Sequence, residues 1–127
     1  MLSEIREYLD KSVIKEIRTV NVTLSTTTSP TTLFSVEKKE GYRIVIHKIG
    51  VDRNVDLSNV TLYIKAGGRE LSPNSNGWNL YSIGSIEKPT EFNLVIEKGL
   101  DAAFKYTCSS GTPALRMLVE ILYVKEE

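Results

Sequence analysis

The clearest pattern in the chain is a strict alternation of apolar and polar residues in the segment NVTLYIKAGG. The apolar phase of residues 60–66 consists of Val60, Leu62, Ile64 and Ala66. A period of two predicts a β-strand with one buried face. Gly67-Gly68 follows directly, and paired glycines favour a two-residue turn with positive φ, so the pattern predicts a β-hairpin.

Comparable alternation recurs at residues 18–24, 33–36, 42–51, 92–96, 100–108 and 114–124. Within 42–51 the phase switches, which predicts a bulge near His47 or a strand covered on both faces. The Ser- and Thr-rich residues 25–32 contain Pro30 and are predicted to form a loop or an edge segment. Residues 92–96 and 100–108 flank Gly99 and are predicted to pair as a hairpin.

Seven or eight short strands separated by turn signals are typical of an antiparallel β-sandwich or jelly roll, and we assign it to residues 18–127. The N-terminal segment, residues 1–17, has a different period. Its apolar residues are spaced three or four apart, which predicts an amphipathic helix over residues 3–16. The helix either covers part of the domain or docks on another subunit. The apolar positions are Leu2, Ile5, Leu9, Val13 and Ile17.

The last predicted strand is apolar on both faces. One face carries Leu115, Met117, Val119, Ile121 and Tyr123, and the other carries Leu118, Leu122 and Val124. Burying one such side chain is worth about 1.5–3 kcal/mol, so a second apolar face left in water is costly. We therefore expect the N-terminal helix or another subunit to cover it. The predicted oligomer interface consists of Leu118, Leu122, Val124, Leu2, Ile5 and Leu9.

Composition narrows the class of partner. Sixteen basic and sixteen acidic residues give a net charge of zero, which offers no long-range attraction for nucleic acid or anionic membranes. Glu4, Glu7 and Asp10 interrupt the apolar positions at the N-terminus, so we expect no signal peptide, and no run is long enough to span a membrane.

Candidate chemistry is sparse. The segment at residues 52–58 spaces oxygen ligands like the first half of a calcium loop, but Leu57 and Tyr63 stand where glycine and glutamate are required. His47 has no nucleophile nearby in sequence, and the single cysteine, Cys108, is in phase with core positions. We therefore expect no enzymatic activity, no metal site and no cofactor.

Aromatic residues offer the other candidate site. Trp78, Tyr81 and Tyr63 are predicted candidates for stacking on a sugar ring or on single-stranded nucleic acid, with Trp78 in a loop and Tyr63 on the outward face of its strand. The alternative use of these rings is packing in the core or at a subunit contact. A carbohydrate-binding jelly roll is the second function that the sequence supports.

Residues 31–124 resemble the small β-sandwich proteins found as accessory components of virus and phage particles. The resemblance lies in the segments TTLFSV, GYRIVIHKIGV, NVTLYIKAGG and EFNLVIEKGLDAAFKYTCSSGTPALRMLVEILYV. In those proteins the turn before the penultimate strand usually reads leucine, glycine, aspartate, and residues 97–101 approximate it. The N-terminal helix and His47 have no counterpart in this pattern.

The resemblance implies a non-enzymatic structural role. Proteins of this kind are typically homo-oligomers, often trimers, that decorate a capsid, join tail parts or present loops to a receptor. It further implies other virion proteins as partners and a location in the virion or the host cytoplasm.

Overall fold

The computed structural model describes residues 13–126, except for the side chain of Asn74. These residues form nine strands and two short 3-10 turns, Pro73–Ser75 and Leu80–Ser82. The strands are β1 Val13–Thr23, β2 Thr27–Val36, β3 Tyr42–Val51, β4 Val60–Ala66, β5 Arg69–Glu70, β6 Trp78–Asn79, β7 Thr90–Val95, β8 Ala102–Cys108 and β9 Ala114–Lys125.

The strands form two sheets that pack face to face. Sheet A has the order β1-β9-β3-β7, and sheet B has the order β2-β8-β4-β5 with β6 also paired to β4. Every pairing between these strands is antiparallel. The predicted all-β antiparallel sandwich is therefore confirmed. No helical segment within residues 13–126 is long and apolar enough to cross a membrane.

The core lies between the two sheets and follows the alternation read from the sequence. In β4 and β8 every second residue is buried, and the inward phase of β9 is buried from Leu115 to Tyr123. The largest fully buried ring belongs to Phe104, which stacks on Phe34 with centroids 4.5 Å apart. Cys108 is also fully buried, which confirms it as a core residue.

Three local predictions are confirmed. The ladder between β3 and β9 shifts register between Ile46 and Lys48, so His47 is the extra residue of a bulge. Gly67 and Gly68 have φ of 60° and 79° and connect β4 to β5 as a two-residue turn. The segment containing Pro30 belongs to β2, an edge strand whose ladder is irregular around that proline, which matches the predicted edge segment.

The predicted N-terminal helix is wrong where the structure describes it. β1 begins at Val13 and pairs with β9 from Val13 to Thr23, so residues 13–17 belong to the sandwich. Val13 and Ile17 are four residues apart, a spacing that fits one face of a helix and also one face of a strand. A continuous ladder to the central strand stabilises the extended form. The remainder of the predicted helix, residues 3–12, lies outside the described residues.

The predicted hairpin around Gly99 is also wrong. β7 pairs with β3 in sheet A, whereas β8 pairs with β2 and β4 in sheet B. Residues 96–101 therefore cross from one sheet to the other. Their alternation identified two strands correctly but carried no information about the partners.

One edge of the sandwich is closed by a side chain. Arg18 of β1 donates from Nη1 to the carbonyl of Ser35 in β2 at 2.8 Å, and its guanidinium lies 5.7 Å from the ring centroid of Phe34. Cation–π contact and hydrogen bond together join the edge strands of the two sheets.

Candidate functional site

The register of sheet A determines which residues share its outer face, the face turned away from sheet B. Lys15 is opposite Leu122, Leu122 is opposite Val45, and Val45 is opposite Val95. Since directly paired residues point to the same side, these four form one row across the sheet. The neighbouring rows add Val13, Val124, Arg43, Ile17, Glu120, Lys48, Glu91, Thr19 and Leu118.

This outer face of sheet A combines seven apolar residues with five charged ones. Ile17 and Val95 are 55% and 52% exposed and lie on the two edge strands. Three of the predicted interface residues lie between them: Leu122 is 7% exposed, and Leu118 and Val124 are half-buried. Leu2, Ile5 and Leu9, the other predicted interface residues, lie outside the described residues. All strands within residues 13–126 belong to the two sheets, so none forms a third layer over this face.

The outer face of sheet B has a different character. Its central strands β4 and β8 present Thr61, Tyr63, Lys65, Ala103, Lys105 and Thr107. None of these six side chains is a large aliphatic one. Two are threonine and one is alanine, and the two lysines and the tyrosine have polar ends. The two outer faces are therefore chemically distinct, and the exposed aliphatic side chains of Ile17 and Val95 lie on that of sheet A.

Glu120 is the central charged group on the outer face of sheet A. Its Oε1 lies 3.0 Å from Lys15 Nζ and its Oε2 lies 2.5 Å from His47 Nδ1. The side chains of Glu120 and His47 are only 12% and 18% exposed, whereas that of Lys15 is 55% exposed. Because an ionised carboxylate only accepts hydrogen bonds, the proton of the bond to His47 is on Nδ1.

The pKa of Glu120 is set by two opposing effects. Burial raises the pKa of its carboxyl, but the hydrogen bonds from Lys15 and His47 and the charges of these two groups lower it by more. The net result is a pKa below the usual value. Glu120 thus stays ionised in an apolar neighbourhood because two donors hold it.

Sequence reasoning did not identify this group of three residues. The apolar spacing of residues 2–17 predicts that Lys15 lies in a helix, and the sequence gives His47 no partner. The available signal was Glu120 itself, a single acid within the apolar segment LVEILYV, together with the bulge that turns His47 toward the neighbouring strand.

The three predicted stacking residues lie apart. Trp78 is paired with the inward residue Leu62. Its ring packs edge-on against that of Phe92 in sheet A, with the ring centroids 5.1 Å apart, and is half-buried against the core. Tyr63 lies on the outer face of sheet B. Tyr81 is 62% exposed in a 3-10 turn at the end of the sandwich. The structure therefore provides no single platform from these rings, and Tyr81 is the most exposed of the three.

Tyr81 borders a concave pocket of 720 Å³ at that end. The pocket is formed by residues 51–58, which connect β3 to β4, and by Leu80 and Tyr81. The guanidinium of Arg53 lies 5.0 Å from the centroid of the Tyr81 ring, and its Nη1 donates to the carbonyls of Tyr81 and Ile83 at 2.7 and 2.6 Å. We call this the loop-end pocket.

The candidate calcium segment forms part of the same pocket but uses its acids locally. Asp52 Oδ1 accepts from the amide of Asn54 and Asp56 Oδ1 from the amide of Ser58, each at 3.0 Å. Hydrogen bonds from the side chain and the amide of Ser58 lower the pKa of Asp56. Within residues 13–126 no cluster of three or more His, Cys, Asp or Glu side chains is placed to hold a metal ion.

No protein-family model matches this sequence, and no curated protein matches it either.

Proposed function

We propose that the protein is a non-enzymatic structural component of a virus particle that assembles as a homo-oligomer through the outer face of sheet A. The observation that carries this proposal is the contrast between the two outer faces: exposed Ile17 and Val95 flank Leu118, Leu122 and Val124 on sheet A, whereas threonine and lysine dominate on sheet B.

A second copy of the chain is the occupant that fits this face best. Lys15, Glu120 and Arg43 place both signs of charge on it, so the face is electrostatically compatible with itself, in keeping with the net charge of zero. Four strands about 4.8 Å apart and about ten residues rising 3.3 Å each cover roughly 600 Å² in projection. A standard interface buries about 800 Å² of accessible surface per partner, which exceeds this projected area, so the contact would use the whole face.

The strand order supports the particle assignment. Eight of the nine strands follow the orders β1-β9-β3-β7 and β2-β8-β4-β5, with consecutive strands alternating between sheets at most connections. We infer from this order that the sandwich is a jelly roll, an architecture found in viral capsid proteins and in lectins. The resemblance of residues 31–124 to accessory virion proteins favours the first of these, with a trimer as the expected assembly.

The oligomeric state tests the proposal. Multi-angle light scattering of the full chain should give a mass that is a multiple of 14.2 kDa, three times this value for a trimer. The double variant Ile17→Lys/Val95→Lys places charges on exposed positions of the proposed interface and should yield monomers. Thr107→Lys, on the outer face of sheet B, is the matched control and should leave the mass unchanged.

Two results would overturn the proposal. A wild-type chain that remains a monomer at the highest concentration measured excludes assembly altogether. An oligomer that persists in Ile17→Lys/Val95→Lys but dissociates in Thr107→Lys places the contact on the opposite face. The particle assignment has its own test, since genes for capsid or tail proteins should neighbour this one.

A further inference from the structure

We propose that the loop-end pocket is a binding site for a neutral saccharide whose ring stacks on Tyr81. The lining of this pocket includes none of the residues named above on the outer face of sheet A, so the proposal does not rest on the assembly proposed above.

The size and shape of the pocket suit a small polar ligand. Its 720 Å³ falls within the roughly 300–1,000 Å³ of typical ligand sites, and it is open to solvent. Its lining includes the buried apolar side chains of Val51, Leu57 and Leu80, and the remaining lining residues except Val55 carry polar groups. A second hollow of 390 Å³ shares Asp52 and Val55 with it.

The aromatic ring of the site is held in place before any ligand arrives. Arg53 stacks on Tyr81 and donates to the carbonyls of Tyr81 and Ile83, while the amide of Tyr81 donates to Asn79 Oδ1 at 2.8 Å. These contacts already restrict the backbone and the ring of Tyr81, so little conformational entropy is lost when a ligand binds. The apolar face of a pyranose is the natural partner of such an exposed ring.

The polar groups around Tyr81 match a ligand rich in hydroxyl groups. Asp52 uses Oδ1 in its turn, and its Oδ2 and the side chain of Asn54 make no hydrogen bond to any other group of residues 13–126. Carboxylate and amide groups can accept from and donate to sugar hydroxyls. The basic residues Arg53 and Arg116 balance the acidic residues Asp52 and Asp56 across the two hollows, which favours a neutral ligand over an anionic one.

A glycan array with neutral hexose and N-acetylhexosamine oligosaccharides, and sialylated glycans for comparison, tests the proposal. The wild-type chain should bind neutral glycans, and the best of them should then be titrated by saturation-transfer NMR. Tyr81→Ala should weaken binding about tenfold or more, whereas Tyr81→Phe should keep most of it because the ring remains. Tyr63→Ala removes a tyrosine on another surface and should bind like the wild type.

Fluorescence of Trp78 establishes that each variant is folded. The proposal is wrong if the wild type binds no glycan, if it prefers sialylated glycans, or if Tyr81→Ala and Tyr63→Ala bind equally. Ile17→Lys/Val95→Lys should bind glycan per chain as the wild type does, so failure of assembly and failure of saccharide binding are separate results.

Discussion

At the scale of single residues, Glu120 combines a charge with an apolar setting. Its carboxylate contacts Lys15 and His47, and its neighbours on the same strand are Leu118 and Leu122. A partly buried charge is tolerated only while its donors are present. The pair with His47 depends in turn on the bulge in β3, which places an additional side chain beside Glu120.

The lowered pKa of Glu120 predicts a pH dependence of stability. A carboxyl whose pKa falls on folding contributes stability above its unfolded pKa, about 4.3, and loses it as the pH drops through the folded pKa. The wild type should therefore be more stable than Glu120→Gln above about pH 5, and this difference in stability should disappear by about pH 3. Urea denaturation of both proteins across this range measures the difference in their free energies of unfolding. The contributions of the carboxyls that both proteins share cancel in this difference. A difference that stays constant with pH would contradict the prediction.

Gly50 is required for close packing and not for its backbone angle. A Cβ at this position would lie 2.5 Å from the carbonyl oxygen of Ser85. Gly50→Ala should therefore destabilise the fold by about 1–3 kcal/mol. It should also accelerate hydrogen exchange at the amide of Val51, which donates to Gly84.

Gly68→Ala is the control for this substitution. Gly68 has positive φ but nothing within 4 Å of its Cβ position, so alanine there strains only the turn. Exchange at Val51 should be unaffected. If both variants speed exchange at Val51 equally, the contact with Ser85 is not the cause.

At the scale of elements, the sequence identified most strands and little of their pairing. The alternation in β4, the glycine turn and the bulge at His47 were all predictable because each follows from local backbone geometry. The sequence predicts a helix for residues 13–17, but the four-residue spacing of Val13 and Ile17 fits a strand equally well. Only pairing with β9, about a hundred residues later in the chain, decides between them.

The β1–β9 register can be tested with an engineered disulfide. Asn21 and Arg116 are direct partners on exposed positions, so Asn21→Cys/Arg116→Cys should oxidise to an intramolecular disulfide. Thr19→Cys/Arg116→Cys is the control, because diagonal neighbours lie about 7–8 Å apart and do not meet the geometry. Cys108 is fully buried and should not compete.

Mass spectrometry of the cross-linked peptides identifies the bond. Closing a loop of this length should raise the free energy of unfolding by about 2–4 kcal/mol. A disulfide that forms more readily in the control pair would show that β1 is shifted by two residues.

At the scale of the whole molecule, the sequence predicted a sandwich but not which residues make up the outer faces of its two sheets. The second apolar face of β9 was visible in the sequence, and β9 pairs on both sides in sheet A. This face extends to Val45 and Val95 because β9 lies beside β3 and β3 beside β7. The local sequence pattern does not predict which strands are neighbours. The same reason separates Trp78 from Tyr81: the pairing of β6 with β4 turns the first ring inward.

The only tryptophan offers a probe of how the two sheets come together. Trp78 belongs to sheet B and contacts Phe92 of sheet A, so its fluorescence reports contact between the sheets, while far-UV circular dichroism reports the strands. Because one core serves both sheets, the two signals should follow the same urea transition. Refolding should take about milliseconds to seconds, since pairs such as β1–β9 join distant parts of the chain.

Protein concentration connects this measurement to assembly. If copies associate through the outer face of sheet A, only the folded state binds, so the midpoint of the shared transition should rise with protein concentration. In Ile17→Lys/Val95→Lys the midpoint should be independent of concentration while the two signals still coincide. Signals that separate at low concentration in this variant would mean that one sheet forms without the other, and that contact between chains is needed to hold the sandwich together.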